Sequence, residues 1–262
     1  MLRVLTLNTH KGFSSFNTRF VLHRLRRAVH STGADIVFLQ EVLGEHARKA
    51  RRYEGWPTTP QHIFLADPIW PDHAYGKNAV YRHGHHGNAI LSRYPILHST
   101  RVDVSTNRVE QRGFLHCVVQ VPHYHRLLHC ICVHLGLFEA SRRKQYQMLG
   151  DYVERHIPAQ LPLIVAGDFN DWRGAVDGEF GMSLGLTDVT VATRGAKART
   201  FPAWLPLFPL DRIYCRGLTA RSSATYHRDN WARLSDHAGL FAEVTLPRAV
   251  SGLGQDAATP RP

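Results

Sequence analysis

The chain has 262 residues, 44% of them hydrophobic and 20% charged. That is enough apolar material for a core and too much for a disordered chain, and no run approaches the ~18 consecutive apolar residues a membrane-crossing helix needs. The 32 Lys and Arg outnumber the 21 Asp and Glu, a formal charge of +11 that suits polyanionic partners such as nucleic acid, an anionic membrane surface or a phosphorylated small molecule.

In chain order, Leu2 to Asn8 reads as a buried strand. The opening MLRVLTLNTHKG lacks the apolar stretch of a secretory signal, so a cytoplasmic location is the default expectation. Asn17 and Thr18 offer caps for a helix running to about Ser31, with Phe20, Leu22, Leu25 and Val29 at helical spacing and Gly33 beyond its end. Asp35 to Gln40 is a second apolar strand, closed by Glu41, and Glu45 to Tyr53 reads as a short basic helix. Residues 54–87 carry Trp56, Trp70, four prolines and the run HGHHG; they read as a long irregular segment, of a kind that is functional or mobile. Asn88 to Ser92 is a strand. Gly113 to Val121 and Arg126 to Val133 form a strand pair. Glu139 to Ile157 is an amphipathic helix with Tyr146, Leu149 and Val153 on one stripe. Leu161 to Ala166 is a strand, further strands are expected at 211–216 and 239–246, and the tail 248–262 is expected to fray. The four cysteines form no CxxC pair, and three sit in apolar runs as buried thiols. Strands come singly and in pairs with few helices between, which favours one domain over 1–247, built of two packed sheets flanked by helices, over alternating strand–helix units.

Polar residues cluster at strand ends. LRVLTL ends in Asn8, DIVFLQ in Glu41, LHCICV in His134, and LPLIVA in Gly167-Asp168-Phe169-Asn170-Asp171; Asp211 and Ser235-Asp236-His237 follow. Each alone has a plain reading. GDFN suits a turn, Asp236 can cap one, and a lone His134 is more often structural. Together they offer hard oxygen ligands suited to Mg²⁺ or Mn²⁺, a histidine for proton transfer and amides for a phosphoryl oxygen.

The motifs LTLNTHKG at 5–12, LQEV at 39–42, GNAILSRYPI at 87–96, QRGFL at 111–115, VHLGL at 133–137, GDFND at 167–171, LDRIY at 210–214 and SDH at 235–237 resemble, in order and spacing, the endonuclease/exonuclease/phosphatase superfamily of DNase I-like metal-dependent phosphodiesterases. The resemblance runs from Leu2 to about Leu246, and the chain looks most like a bacterial branch often encoded beside cardiolipin synthases, a hint at phospholipid. It implies an α/β (α+β) four-layer sandwich of two mostly antiparallel sheets flanked by helices. It also implies Glu41 as the principal Mg²⁺ ligand, supported by Asn8 and with Asp236 near the metal, Mn²⁺ being a possible substitute. His237 matches the catalytic histidine, Asp211 its carboxylate partner, and Asp168 the residue that aligns or deprotonates the attacking water. Asn170, His134 and Arg112 match phosphate-contacting groups. His10 departs from the pattern, because DNA-repair members carry an aspartate there as a metal ligand; a surface histidine is the plain alternative.

The expected activity is hydrolysis of a phosphodiester in nucleic acid or a phospholipid. A phosphomonoesterase, or a non-catalytic binding module on the same scaffold, is the alternative. Trp56, Trp70, Trp204, Leu205, Leu207 and Phe208 fall in expected loops, where they either touch a membrane interface or fold back onto the core.

Overall fold

The computed structural model describes residues 1–174 and 177–247. In chain order its elements are β1 (Leu2–Asn8), α1 (Leu22–Ser31), β2 (Ile36–His46), α2 (Ala47–Arg52), α3 (Gln61–Ala66), β3 (Asp72–Tyr81), β4 (Gly84–Ser92), β5 (Ile96–Asp103), β6 (Gly113–Val119), β7 (Leu128–His134), α4 (Glu139–His156), β8 (Leu163–Asp168), α5 (Asp177–Ser183), β9 (Thr187–Asp188), α6 (Val189–Arg194), β10 (Asp211–Arg216), β11 (Thr219–Tyr226) and β12 (Gly239–Thr245). The strands form two six-stranded sheets, ordered β11-β12-β1-β2-β4-β3 and β5-β6-β7-β8-β10-β9. Each sheet contains one parallel pair, β1 with β2 and β7 with β8, and is otherwise antiparallel.

Alternate residues of the central strands point to opposite faces, and both faces are apolar. Val4, Ile36, Phe38 and Ile90 from the first sheet meet Leu115, Cys130, Ile164 and Ile213 from the second in one cluster between the sheets. The other face of the first sheet (Leu5, Leu7, Val37, Leu39) packs on Leu22, Leu25 and Val29 of α1. The other face of the second (Ile131, Val133, Val165) packs on Tyr146, Leu149 and Val153 of α4. The result is helix, sheet, sheet, helix, as expected from the strand pattern. All four cysteines are buried and free. No helix among the described residues is long and apolar enough to cross a membrane.

Local differences from the sequence reading are systematic. Segment 54–87 is not irregular: it holds α3, β3 and the start of β4, and Asn88 lies inside β4 rather than opening it. Trp70 is buried there and donates its indole N–H to Ala34 O at 3.0 Å. Trp56 stacks on Phe20 with ring centroids 5.0 Å apart. These two rings therefore pack onto the body of the protein. Helix α1 begins at Leu22, because 15–17 forms a separate 3₁₀ turn. Strand β2 runs on to His46, which shortens the expected basic helix to Ala47–Arg52. Strands β3, β5, β9 and β11 are additional to the reading. The tail 248–262 lies outside the described residues.

Candidate active site

Sheet register brings the strand-end residues together. In the second sheet His134 pairs with Asp168 across β7 and β8, and Asp168 pairs with Asp211 across β8 and β10. Three chemically active side chains thus stand side by side on adjacent strands. In the first sheet Asn8, ending β1, lies beside Gln40 of β2. The next residue, Glu41, sits where the β2–β4 register shifts between Leu39 and Val42, with φ of 55°. The irregularity re-aims one side chain, a recurring use of bulges beside active sites. The loop before β12 is tied to the end of β1 by Ser235, whose Oγ donates to Asn8 O at 2.6 Å and accepts from His237 N at 3.2 Å.

The two sheets meet through Asn8. Its Nδ2 lies 3.4 Å from Glu41 Oε1 and donates to Asp168 Oδ2 at 3.1 Å. Asp168 Oδ2 in turn lies 3.6 Å from His134 Nε2 and 3.7 Å from His237 Nε2. His237 Nδ1 donates to Asp211 Oδ2 at 2.9 Å. Asn8, His134, Asp168, Asp211 and His237 are all buried. One ligand atom each from Asp168, Asp211 and His237 lie within 4.8 Å of one another, a possible acidic and histidine metal site.

Asn170 is held by two bonds: its N–H donates to Asp168 Oδ1 at 2.9 Å and its Nδ2 to Leu135 O at 2.9 Å, which leaves one amide hydrogen. Arg112 pairs with Glu110 at 3.5 Å, and its charge reaches His134. Asp236 Oδ2 meets His10 Nδ1 at 2.9 Å. Asn88, within another family-like motif, bonds Gly113 O and Cys132 O and so serves the backbone, as asparagines in strands often do.

The electrostatics follow from burial and crowding. Burial pushes the Asp168 carboxyl well above the usual range; His237 opposes this and Asp211 adds to it. Burial alone would lower His237, but Asp211 and Asp168 override it and hold the imidazolium well above its ordinary value. Burial and the Arg112 charge keep His134 neutral. Burial would raise Glu41, yet Lys11 and nearby histidines hold it ionised, far below the usual range. Asp236 is likewise lowered against burial, chiefly by its bond to His10.

Sequence reasoning passed over Lys11, whose Nζ sits 2.5 Å from Glu41 Oε2. It also passed over His86, whose titration responds to Lys11, Glu41 and Arg112. Lys11 was readable, since it follows Asn8 by three residues. His86 was not, because only the Leu43–His86 pairing of β2 with β4 brings the HGHHG run to the site.

Two mixed sheets packed face to face, with polar groups converging at one rim, define a DNase I-like sandwich. A profile of the Endonuclease/Exonuclease/phosphatase family matches residues 5–237, and the chain belongs to that family. It is an enzyme of phosphoester hydrolysis. It is 48% identical over 244 residues to the uncharacterized protein YbhP of Escherichia coli strain K12, covering 93% of this chain and 96% of that one. Among solved structures it is similar to an endonuclease/exonuclease/phosphatase from Beutenbergia cavernae, with a TM-score of 0.75 and 18% identity over 94% of this chain and 71% of that one. It is also similar to a mannosyl-6-phosphatase from Bacteroides thetaiotaomicron, with a TM-score of 0.70 and 16% identity over 94% and 100%. A humanized D. rerio TDP2 gives 0.70 and 20% over 93% and 98%.

Proposed function

We propose that the chain is a divalent-metal-dependent phosphodiester hydrolase. The observation that carries this reading is the continuous chain Glu41–Asn8–Asp168–His237–Asp211, which joins carboxylates from both sheets to one buried imidazole. The donor set fits a hard cation. Carboxylates and amide oxygen dominate, and Glu41 and Asp236 are both held ionised against burial.

Glu41, supported by Asn8 and with Asp236 nearby, would hold the cation, Mg²⁺ or in its place Mn²⁺; when bound it supplies Lewis-acid stabilisation of the leaving oxygen. Asp168 accepts a hydrogen bond from the attacking water, and its raised proton affinity suits it to take that proton near neutral pH. Asp211 orients the His237 ring and keeps it charged, so its Nε2–H offers a charge-assisted bond to a phosphoryl oxygen. The free amide hydrogen of Asn170, neutral His134 and the Arg112 guanidinium add donors around the same oxygens, where anionic charge grows in the transition state.

A second observation bears on the substrate. The Phe201 ring lies 5.0 Å from His237 and leads through Trp172 to Phe208. Trp204 (63% exposed), Leu205 and Leu207 stand at the tip of that loop. Trp204 also lines a groove of about 520 Å³ with Ser15, Arg19, Arg24 and Arg233, next to exposed Phe16. Trp204 and Phe16 offer rings that suit bases as well as an interface, whereas Leu205 and Leu207 cannot stack on bases but can enter an acyl layer while arginines meet head groups. The rim therefore favours an amphiphilic phosphodiester at a lipid surface over a bare polynucleotide.

The test is hydrolysis of bis-p-nitrophenyl phosphate with Mg²⁺ or Mn²⁺, with and without EDTA. Plasmid DNA, RNA and phospholipid vesicles serve as parallel substrates. EDTA should abolish turnover, and Asp168→Ala and His237→Ala should each lower it by about 10²–10³ with the fold retained. Unchanged turnover in EDTA, or in His237→Ala, would refute the mechanism. Cleavage of DNA alone would refute the lipid preference.

A further inference from the structure

His10 occupies the turn after β1, with φ of 44° followed by 59° at Lys11. Non-glycine residues adopt this region uncommonly, histidine more often than most, and surrounding bonds hold it. The surrounding bonds are explicit. The His10 N–H donates to Asn8 Oδ1 at 3.0 Å, and its Nδ1 lies 2.9 Å from Asp236 Oδ2. Its Nε2 is buried and has no hydrogen-bond partner among the described residues. The ring is therefore not the surface histidine of the plain reading.

A carboxylate acceptor on Nδ1 places a hydrogen there, and the neutral ring in that tautomer presents its lone pair on Nε2. An imidazole oriented in this way by a carboxylate is the usual outer support of a histidine that binds a metal through its other nitrogen. The same Asn8 amide that holds the His10 backbone reaches Glu41 with its nitrogen, and the next residue, Lys11, meets Glu41 Oε2 at 2.5 Å, so the turn that carries His10 is tied to the Glu41 carboxylate from both sides. A buried polar atom left unbonded costs free energy, and no apolar packing role explains a ring that meets the Asp236 carboxylate on a backbone held by Asn8.

We propose that His10 Nε2 is a ligand of the same divalent cation as Glu41, giving a mixed nitrogen and oxygen set that selects Mn²⁺ over Mg²⁺. This rests on the assignment of Glu41 as a cation ligand. Imidazole suits transition metals, whereas Mg²⁺ prefers oxygen and water. Asp236 then acts through His10, as the group that sets its tautomer.

The test is calorimetric titration of Mn²⁺ and of Mg²⁺ into the full chain after EDTA treatment and dialysis. It is run on wild type, His10→Ala, His10→Asp and Glu41→Gln, with melting temperatures as a folding control. The visible absorption of the Co²⁺-loaded protein gives a second readout independent of turnover. Wild type should bind Mn²⁺ at least about 10-fold tighter than Mg²⁺. His10→Ala should lose about 10–100-fold in Mn²⁺ affinity, the size seen when metal-site supports are removed, and change Mg²⁺ affinity little. His10→Asp should narrow the preference, and the Co²⁺ bands should shift in both His10 variants. Wild-type Mn²⁺ affinity and Co²⁺ bands in His10→Ala, with binding lost in Glu41→Gln, would overturn the role of His10 alone. Wild-type binding in Glu41→Gln would overturn the underlying assignment. Should His10→Ala not fold, His10→Asp carries the comparison.

Discussion

Replacing Gly167 by alanine probes how tightly the site is tied to its sheets. Gly167 precedes Asp168 and pairs with Val133 of β7 and Arg212 of β10. Its φ is +148°, and a Cβ there would lie 2.1 Å from Val133 O. The obstructing atom is backbone, so no side-chain rotation relieves the overlap. The conformation costs an L residue about 1–3 kcal/mol and the overpacking about 1–3 kcal/mol more. At ~2–4 °C per kcal/mol for a chain of this size, the melting temperature should fall by roughly 10 °C. Relief requires β7 and β8 to separate, which draws His134 away from Asp168; a displacement near 1 Å in an active site costs about 10²-fold in rate. Gly150→Ala is the control. Gly150 lies within α4 with nothing within 4 Å of an added Cβ, so alanine should stabilise by about 0.5–1 kcal/mol and leave turnover alone. Thermal melts by circular dichroism and hydrolysis of bis-p-nitrophenyl phosphate measure both effects. A Gly167→Ala protein that melts and turns over like Gly150→Ala would refute the reasoning.

Asp211→Asn keeps an acceptor near His237 Nδ1 but removes the charge that, with Asp168, holds the imidazolium against burial. A raised histidine pKa means the charged form persists through neutrality and is lost as pH rises. The alkaline limb of kcat should therefore move to lower pH in the variant and kcat at pH 8 should drop; an unmoved limb contradicts the pairing. On the outer face of the second sheet, His116 Nε2 meets His129 Nδ1 at 2.9 Å and His116 Nδ1 meets Tyr152 Oη at 3.0 Å. Burial and the neighbouring His129 push His116 down to about 4. A depressed folded pKa gives stability that is present above pH 6.5 and lost as pH falls toward 4, by up to about 3 kcal/mol. His116→Phe should flatten urea-derived stability across that window, and an identical slope would exclude the group. The Leu205→Ser/Leu207→Ser double variant should lose sedimentation with anionic phospholipid vesicles while hydrolysing bis-p-nitrophenyl phosphate at the wild-type rate; undiminished sedimentation would remove the apolar tip from membrane contact.

The strands that sequence pattern revealed and those it hid differ by position in the sheet. β1, β2, β6, β7, β8, β10 and β12 are interior strands flanked by neighbours on both sides, and their apolar runs are buried on both faces, which is what periodicity detects. β3, β5, β9 and β11 are sheet edges. β5 carries His98, Ser99, Thr100 and Arg101 on a half-exposed surface, and β11 reads TARSSATY. Polar and charged residues on edge strands prevent pairing with other chains; the same feature erases the hydrophobic signal. The β3–β4 hairpin was further disguised by its histidines and by the prolines before it. Its strand character comes from pairing with β2 along the register from Ile36 to His46, a non-local cause that no window of sequence contains.

The site was legible for a related reason. Asn8, His134 and Asp168 end interior strands and Glu41 closes the apolar run of another, so the polar residues at which apolar runs stop also mark the rim. What sequence could not supply is the second partner of each group. Asp236 reads as a metal-side carboxylate in the motif SDH, yet its oxygen lies against His10, 226 residues earlier. Asn8 reads as a support for Glu41, yet its firmer bond is to Asp168 on the opposite sheet. These partners decide the chemistry. An Asp236 that orients an imidazole contributes to the cation's environment through nitrogen, whereas one that binds directly contributes oxygen. On the proposed ligand set, the choice between Mn²⁺ and Mg²⁺ turns on that one contact rather than on the motif that announced it.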